Sequence, residues 1–475
     1  MSSNSRISHN IDFITVKKLT VVTVTLLSIA LALALLLPTP YNFAPFGVVL
    51  MILFIITVFY YPFVGIYVYI FIYLLQPQQY FNLTIPLDMI FDPLVIVILL
   101  LNFRWLKENL KLYMIDKALL AFLVVCFISI VKAGDTSLAI EHFTLFFKTV
   151  LLYFLISRFC DTESKLKKII WLYMGSVAFM ALNATFNYYT GNFQYSMGIE
   201  RAVGYAGMGP NDLANTIIIG LPFWLLMAQY YKRIFGRLMI YGFMLAMIWT
   251  IVITGSRGGM IGALFLLFLV AMFSKKRAVA LIGVVFLTVV VIVIMPDQYK
   301  ERFETIGDFS GKTGASQSAY GRINGLILGL EYMLENPVLG VGIGNFRWQY
   351  RNTGGDWSDA HNLIGKLAGE LGMSGIITFV FFIFVYVRLI KNIRHRYRDP
   401  RVRRDFYWYI SQAVILSLIM LFFQGMSSHN LFRFNWYVFA SFMLASQMLI
   451  QKRFELKEAK KKAALEQLPA KGVAL

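Results

Sequence analysis

The sequence predicts an all-α integral membrane protein, a multi-pass bundle of about 12–14 transmembrane helices with one long loop that itself contains helices. Of its 475 residues, 58% are hydrophobic and 15% are charged, whereas about a quarter of the residues of a soluble protein are charged. The apolar residues fall in runs of about 20, the length that crosses a bilayer as a helix. Two cysteines, Cys126 and Cys160, are too few for a disulfide framework or a cysteine-rich metal site.

Polar residues separate the apolar runs and so mark the predicted membrane spans. The runs predict helices at residues 19–37, 44–58, 62–76, 86–102, 113–131, 139–157, 168–189, 211–229, 238–254, 258–274, 278–295, 363–389, 406–426 and 435–450. They divide the chain into an N-terminal membrane region of about eleven spans, a long loop, a C-terminal membrane region and a basic tail, at residues 1–295, 296–362, 363–450 and 451–475. Because the first run is long enough to remain as an anchor and follows a polar segment, we expect no cleaved signal peptide.

The net charge of +19 fits either nucleic-acid binding or membrane topology, and its distribution favours topology. If the N-terminus is cytoplasmic, the inside segments collect most of the Lys and Arg residues, including the cluster from Arg388 to Arg404 and the tail from Lys452. No basic and aromatic residues alternate on a soluble module, as single-stranded nucleic acid would require. We therefore expect both termini in the cytoplasm, basic clusters in contact with anionic membrane lipid, and no nucleic-acid partner.

The long loop at residues 296–362 is predicted to contain a helix from Ser318 to Asn336, which Pro337 stops. An apolar stripe repeats at helical spacing along it, at Ile323, Leu326, Ile327, Leu330, Met333 and Leu334. The stripe fits two surroundings: the loop could pack on the helix bundle, or the helix could lie in the outer membrane interface beside a lipid-linked substrate.

Arg257 lies in a short turn between two predicted membrane helices, Thr254-Gly-Ser-Arg-Gly-Gly259. The turn falls on the outer side, where topology disfavours positive charge, so a guanidinium there indicates an anion. The alternative, and the commoner case among membrane proteins, is an interfacial arginine with Gly258 and Gly262 as a helix-packing pair. A diphosphate at the bilayer surface would suit the guanidinium, which binds phosphate through two hydrogen bonds without a metal.

His361 is a candidate general base at the end of the long loop. An outside histidine is more often a surface residue, but Asp356, Asp359 and Asn362 lie close in sequence and could orient its ring. A histidine titrates near neutrality and can take a proton from a sugar hydroxyl, as glycosyl transfer requires.

Other motifs do not support a nucleotide or metal site. Gly340-Val-Gly-Ile-Gly344 has the spacing of a dinucleotide loop, but no strand precedes it and no βαβ unit surrounds it. No His-Glu-x-x-His, Cys-x-x-Cys or Asp-x-Asp motif supports a metal site, so an arginine-based phosphate site is favoured and no cofactor is expected.

Several outer motifs together resemble the bacterial O-antigen ligase and O-antigen polymerase superfamily. They are the Thr254-Gly-Ser-Arg-Gly turn, Gly321-Arg322, Asn336-Pro-x-x-Gly-x-Gly-x-Gly-Asn-Phe346, His361-Asn362 and Glu370-Leu-Gly372. The resemblance is densest from Arg201 to Gly375. It implies a GT-C-like all-helical membrane fold of a bacterial inner-membrane enzyme.

The resemblance implies transfer of a glycan from undecaprenyl diphosphate to an acceptor hydroxyl on the periplasmic face, without nucleotide sugar or metal. Arg257 and Arg322 match the arginines that are implied to hold the diphosphate, and His361 matches the histidine implied to activate the acceptor. Arg201, Asn211 and Asn362 are further substrate-binding candidates. Implied partners are the lipid-linked donor, membrane lipid, and a lipid A core, a lipid-linked glycan or another hydroxyl acceptor, with other polysaccharide assembly proteins left open.

The sequence leaves two other functions open. A polymerase, which joins lipid-linked repeat units, would carry the same arginines and histidine as a ligase. A polysaccharide transporter or flippase is a more distant alternative, because transporters usually show two related halves and charged residues at the membrane midplane. Here the special residues gather at one outer face.

Overall fold

A computed structural model describes residues 54–58, 61–80, 111–196, 198–205, 208–274, 276–304, 314–355, 358–397 and 404–466, with a few isolated positions between 49 and 100. The chain forms two compact units, one of residues 1–73 and 84–108 and one of residues 74–83 and 109–475. Helix α1 (Pro62–Leu75) lies mostly in the first unit. Everything described below belongs to the second.

The second unit is helical almost throughout its described residues. Its helices are α2 (Pro77–Tyr80), α3 (Met114–Ser129, followed by the 3-10 turn Ile130–Lys132), α4 (Thr136–Phe159), α5 (Glu163–Tyr189), α6 (Pro210–Tyr230), α7 (Ile234–Ile253), α8 (Arg257–Met272), α9 (Arg277–Ile294), α10 (Asp297–Glu304), α11 (Gly314–Glu335), α12 (Phe346–Asn352), α13 (Leu363–His395), α14 (Phe406–Gly425) and α15 (Asn435–Glu466). One antiparallel hairpin joins strands β1 (Gln194–Ser196) and β2 (Ile199–Arg201).

The predicted all-α membrane fold is confirmed. Within the described residues, eight helices are long and apolar enough to cross a membrane, and α8, with 16 residues, is a shorter apolar helix. The predicted span 19–37 lies outside the described residues, and 44–58 and 86–102 lie largely outside them. The division of the chain into four sequence regions remains a prediction.

Helix α15 forms part of the centre of the bundle. Its residues from Trp436 to Ala445 are buried, and the ring of Trp436 packs against Phe379 of α13 and Phe422 of α14. Because protein surrounds this helix, it also holds buried polar residues such as Ser441, whose hydroxyl bonds within the helix. In contrast, α9 has no fully buried side chain and lies at the periphery.

The predicted helix in the long loop is confirmed as α11, which packs closely on the start of α13. A Cβ atom added to Gly325 would lie 1.7 Å from the carbonyl oxygen of Ala360, and one added to Gly329 would lie 2.1 Å from that of Gly365. The reverse also holds, since a Cβ on Gly365 would lie 2.2 Å from the Gly325 carbonyl oxygen. These small residues let the two backbones touch, as in close helix pairs within membranes.

The apolar stripe of α11 points away from this contact. Its exposed side chains are Tyr320, Ile323, Ile327, Leu330 and Leu334. Since the glycine side of the helix makes the contact with α13, the stripe is left outside, which favours the membrane interface over packing on the bundle.

The segment from Gly340 to Gly344 is a structural joint. Helix α13 is interrupted at Gly372, and the amides of Val341 and Gly342 donate to the carbonyls of Gly369 and Glu370 just before that break, at 2.8 and 3.0 Å. Gly340, Gly342 and Gly344 all have positive φ, which explains why the motif is glycine-rich.

Candidate active site

The site lies where the loops at one end of the second unit meet, and this end is called the site face: residues 190–196, 198–205, 254–257, 336–355, 358–362 and 426–434. Contacts between distant loops join them. The amide of Ala202 donates to the Ile253 carbonyl at 2.9 Å, and Arg433 pairs with Asp212. The outer segments that the sequence singled out therefore come together.

The turn that carries Arg257 is fixed by its own residues. Gly255 has a φ of 58°, a conformation that other residues rarely adopt, and a Cβ there would lie 2.6 Å from Ile199. Ser256 caps helix α8, since its hydroxyl accepts from the Gly259 amide at 3.1 Å. Arg257 is therefore the first residue of α8, beside the helix N-terminus, where the macrodipole favours an anion.

Arg201 and Tyr299 hold the backbone of this turn through hydrogen bonds to carbonyl oxygens in and beside it. The Arg201 side chain is buried and its Nε donates to the Thr254 carbonyl oxygen at 2.8 Å. The hydroxyl of Tyr299, on α10, donates to the carbonyls of Glu200 and Ile253 at 2.8 and 3.2 Å. The turn is thus held to the hairpin and to α10 through its backbone.

Arg201 also donates through Nη2 to Asn211 Oδ1 at 3.0 Å. Asn211 lies in the first turn of α6 and is exposed. The structure therefore gives these two predicted substrate-binding residues a shared contact. It places Arg201 behind the Arg257 turn, and their binding of substrate remains a prediction.

Arg322 of α11 reaches the same turn. A Cβ added to Gly258 would lie 3.9 Å from Arg322 Nη2 and 3.6 Å from Ser427 Oγ, so the guanidinium lies close to the first turn of α8. Burial lowers the pKa of Arg322, and the nearby charge of Arg257 lowers it further, although an arginine stays protonated at neutral pH. Among the described residues, no carboxylate forms an ion pair with Arg322.

Two positive side chains brought together in this way repel each other. An anion bound between two such side chains would relieve this repulsion. Since a planar guanidinium binds phosphate oxygens in pairs, Arg257, Arg322 and the α8 N-terminus together form a candidate diphosphate site.

His361 faces a second histidine, His429, from the loop between α14 and α15. Their Nδ1 atoms are 3.2 Å apart and their ring centroids 5.1 Å apart. When both rings are neutral, one Nδ1 carries a proton and donates a hydrogen bond, and the other Nδ1 accepts that hydrogen bond. His361 has a φ of 46°, which few residues other than glycine adopt, and such a conformation persists only where its surroundings hold it.

The pocket keeps both histidines neutral near pH 7. Partial withdrawal from water lowers the pKa of His361, with Asp359 and Asp212 opposing the shift and Arg322 adding to it. Burial also lowers the pKa of His429, to about 4, and here too Asp359 opposes the shift while Lys366 adds to it. A neutral imidazole is the form that can accept a proton.

A buried group of charges holds the backbone beside His361. Lys366 Nζ lies 2.8 Å from both carboxylate oxygens of Asp359 and 2.8 Å from Glu370 Oε1. Burial alone would raise the pKa of Asp359, but Lys366 and His429 hold it well below its usual range. The Asp359 carboxylate is therefore committed to Lys366, which differs from the prediction that it orients the His361 ring.

Both the oxygen and the nitrogen of the Asn362 side-chain amide make hydrogen bonds to the backbone. Its Oδ1 accepts from the amides of Ile364 and Gly365 at 2.9 and 3.0 Å, which caps α13, and its Nδ2 donates to the Met426 carbonyl oxygen at 3.4 Å. Binding of substrate by this side chain remains a prediction. Asp356, the other residue expected beside His361, lies outside the described residues.

His429 is the residue to which the sequence alone assigned no role. It lies 68 positions from His361 and has no motif around it, so only its predicted place on the outer side could have pointed to it. Among the described residues, no group of three or more His, Cys, Asp or Glu residues is arranged to hold a metal ion.

Comparison with known families gives two matches. Residues 242–380 match a family described as O-antigen ligase, and residues 45–201 match a family of unknown function (DUF5935). The first segment contains Arg257, Arg322 and His361 but ends before His429. A comparison with curated proteins finds no match.

Proposed function

Through residues 242–380 the chain belongs to the O-antigen ligase and polymerase superfamily, and from this premise we propose that it transfers a glycan from undecaprenyl diphosphate to an acceptor hydroxyl. The family supports a membrane enzyme of O-antigen or polysaccharide assembly. The proposal adds the donor, an inverting displacement without metal, and an active site on the periplasmic face of the bacterial inner membrane with both termini in the cytoplasm.

The observation that carries the proposal is the meeting of two arginines and a neutral histidine on one face. Arg257 and Arg322 come from different loops and approach each other beside the N-terminus of α8. The charge of Arg322 also acts on His361, which supports a candidate base close to the candidate diphosphate site. A transferase needs both functions in one pocket, because the leaving group and the nucleophile react at the same carbon.

In the proposed reaction the acceptor oxygen forms a bond to the anomeric carbon as the bond from that carbon to the diphosphate oxygen breaks. The bonding electrons leave with the diphosphate, whose charge Arg257 and Arg322 stabilise. His361 Nε2 takes the acceptor proton as general base. One displacement inverts the anomeric configuration.

His429 is proposed to position this base. If His361 carries its neutral proton on Nδ1 and donates it to His429 Nδ1 across 3.2 Å, its Nε2 is left as the proton acceptor. The same hydrogen bond would then stabilise the imidazolium that forms during transfer. Asp359 acts at a distance, since its negative charge opposes the lowering of both histidine pKa values.

An in vitro transfer assay tests the function. Purified protein would be given a synthetic undecaprenyl-diphosphate oligosaccharide with EDTA present, and in parallel a lipid A core acceptor or a second lipid-linked unit. Product on the core identifies a ligase, and a ladder of lengthening lipid-linked chains identifies a polymerase. With intact donor and folded protein, the absence of product with both acceptors would contradict the proposal as stated and direct the search to a protein acceptor, and then to transport.

A further inference from the structure

At the end of the second unit remote from the site face, the guanidinium groups of two arginines lie near the ring of one tryptophan. This opposite face includes residues 231–233, 273–274, 394–397 and 404–409, and the side chains of Lys167 and Tyr230 join helices α5 and α6 there at 3.0 Å. The Arg404 guanidinium lies 4.2 Å from the ring centroid of Trp408, and that of Arg394 lies 5.9 Å from it.

Both guanidinium groups are held in place. Arg394, near the end of α13, donates through Nη1 to Gln412 Oε1 one turn beyond Trp408 on α14. Arg404 lies just before α14 and stacks on Trp408. Stacking on an aromatic ring orders a guanidinium and leaves its N–H edge free to donate.

Two grooves meet at this arginine pair. One, of about 830 Å³, runs between α13 and α14 and has apolar walls that include Ile390 and Leu418. The other, of about 660 Å³, is bounded by α6, α8, α9 and α14 and has apolar walls that include Leu267 and Val284. Arg394, Arg404 and Trp408 line both grooves.

Lining carboxylates, rather than net charge, distinguish the neighbouring groove from these two. The described residues that line them include no Asp or Glu, and Lys391 and His395 add further basic groups to the first. A third groove on the same face, of about 840 Å³, contains Glu163 and Asp405 beside its basic residues. The two carboxylates offset only part of the positive charge of the third groove, which Arg404 also lines, whereas no described carboxylate lines the first two.

We propose that Arg394, Arg404 and Trp408 form a binding site for the phosphate of an anionic phospholipid whose acyl chains lie in the two flanking grooves. Adjacent positive groups without a carboxylate favour an anion, and apolar walls on both sides favour a ligand with two hydrocarbon arms. Basic pockets between membrane helices bind lipid head groups in this way. The inference is independent of the reaction proposed for the site face.

Lipid titration followed by native mass spectrometry tests the proposal. Purified full-length protein would be titrated with phosphatidylglycerol or phosphatidylcholine, and we expect retention of phosphatidylglycerol at lower concentration. The double variant Arg394→Gln with Arg404→Gln should weaken that binding on the order of 30-fold, from two surface charges. The matched control, Arg453→Gln with Lys457→Gln, removes two charges from the third groove and should leave it nearly unchanged.

Three results would overturn the proposal. The wild-type protein could bind both lipids equally. This outcome does not depend on the folding of any variant, because it is measured on wild-type protein alone. The control pair could weaken binding as much as the site pair, which would mean attraction to the net charge alone. Glycerol phosphate could displace the lipid at equal concentration, which would mean a site for free phosphate. In support, a phosphatidylglycerol with a photoreactive acyl chain should cross-link to residues such as Leu418 or Leu267.

Discussion

Arginines lie at both ends of the bundle, and the two ends hold them differently. At the site face Arg257 is positioned by backbone features, a positive-φ glycine and a serine cap, and Arg322 approaches the same turn from α11. At the opposite face the basic side chains stack on aromatic rings or pair with nearby acids, as Lys165 does with Asp161 at 2.8 Å.

The two ends differ in how precisely their charged groups must be placed. A reaction needs groups placed within a fraction of an ångström, and backbone geometry gives that placement. Lipid contact and topology need charge at the right depth, which side chains stacked on aromatic rings can supply without a fixed backbone turn. Substitutions at the two ends should therefore differ in size and in kind.

The largest expected effect is at His361. We expect His361→Ala to lower the rate of glycan transfer by about 10²–10⁴-fold, because the acceptor hydroxyl loses its base. Transfer by purified protein to a fixed acceptor measures the loss. Near-normal transfer by a folded variant would remove His361 from the mechanism.

Arginine substitution compares the two ends directly. Arg257→Ala should lower transfer by about 10²–10³-fold through loss of charge stabilisation in the transition state. Arg453→Ala, at an exposed ion pair with Asp405 on the opposite face, should leave transfer within about twofold, since such pairs contribute little. Equal losses in the two variants would mean that Arg257 acts through overall charge.

The histidine pair gives a smaller, pH-dependent effect. Because the pKa of His361 is lowered from its usual value, kcat/KM for wild-type protein should rise with pH to a plateau, with the midpoint of the rise below pH 6.5. His429→Gln should lower that plateau by about tenfold, since the ring of His361 loses the partner that fixes its tautomer. A variant that lost stability but kept the full plateau would show that His429 has only a structural role.

A pair of glycines tests the seam that carries His361. Gly325→Ala should destabilise the protein by about 1–3 kcal/mol and lower transfer, because the new Cβ would meet the Ala360 carbonyl oxygen. Gly321→Ala, one turn earlier on α11 with open space around it, should be neutral or slightly stabilising. Thermal unfolding in the same detergent compares them, and equal melting temperatures would contradict a close seam.

The sequence predicted much of the fold because membrane helices are recognisable from their long apolar runs. Apolar runs located the helices from α3 to α9 and α13 to α15, and Asn336-Pro337 located the end of α11. The helix boundaries were predicted less well. Helix α15 continues through Glu466, beyond the predicted end of its apolar run, because hydrophobicity does not mark where a charged, exposed helix ends. The predicted roles of Arg257, Arg322, His361 and Arg201 remain predictions, although the first three now lie near one another.

Local residue patterns by themselves determined the helices, the turn that carries Arg257 and the face on which the unusual residues gather, since each depends on neighbours in the chain. Tertiary structure alone decided that His361 meets His429, that Asp359 belongs to Lys366 and that α11 touches α13 through glycines. These contacts join segments whose spacing in the sequence carries no periodic signal. Their geometry is set by how whole helices pack, because an imidazole pair or a glycine seam forms only when both partners arrive within about an atom's width.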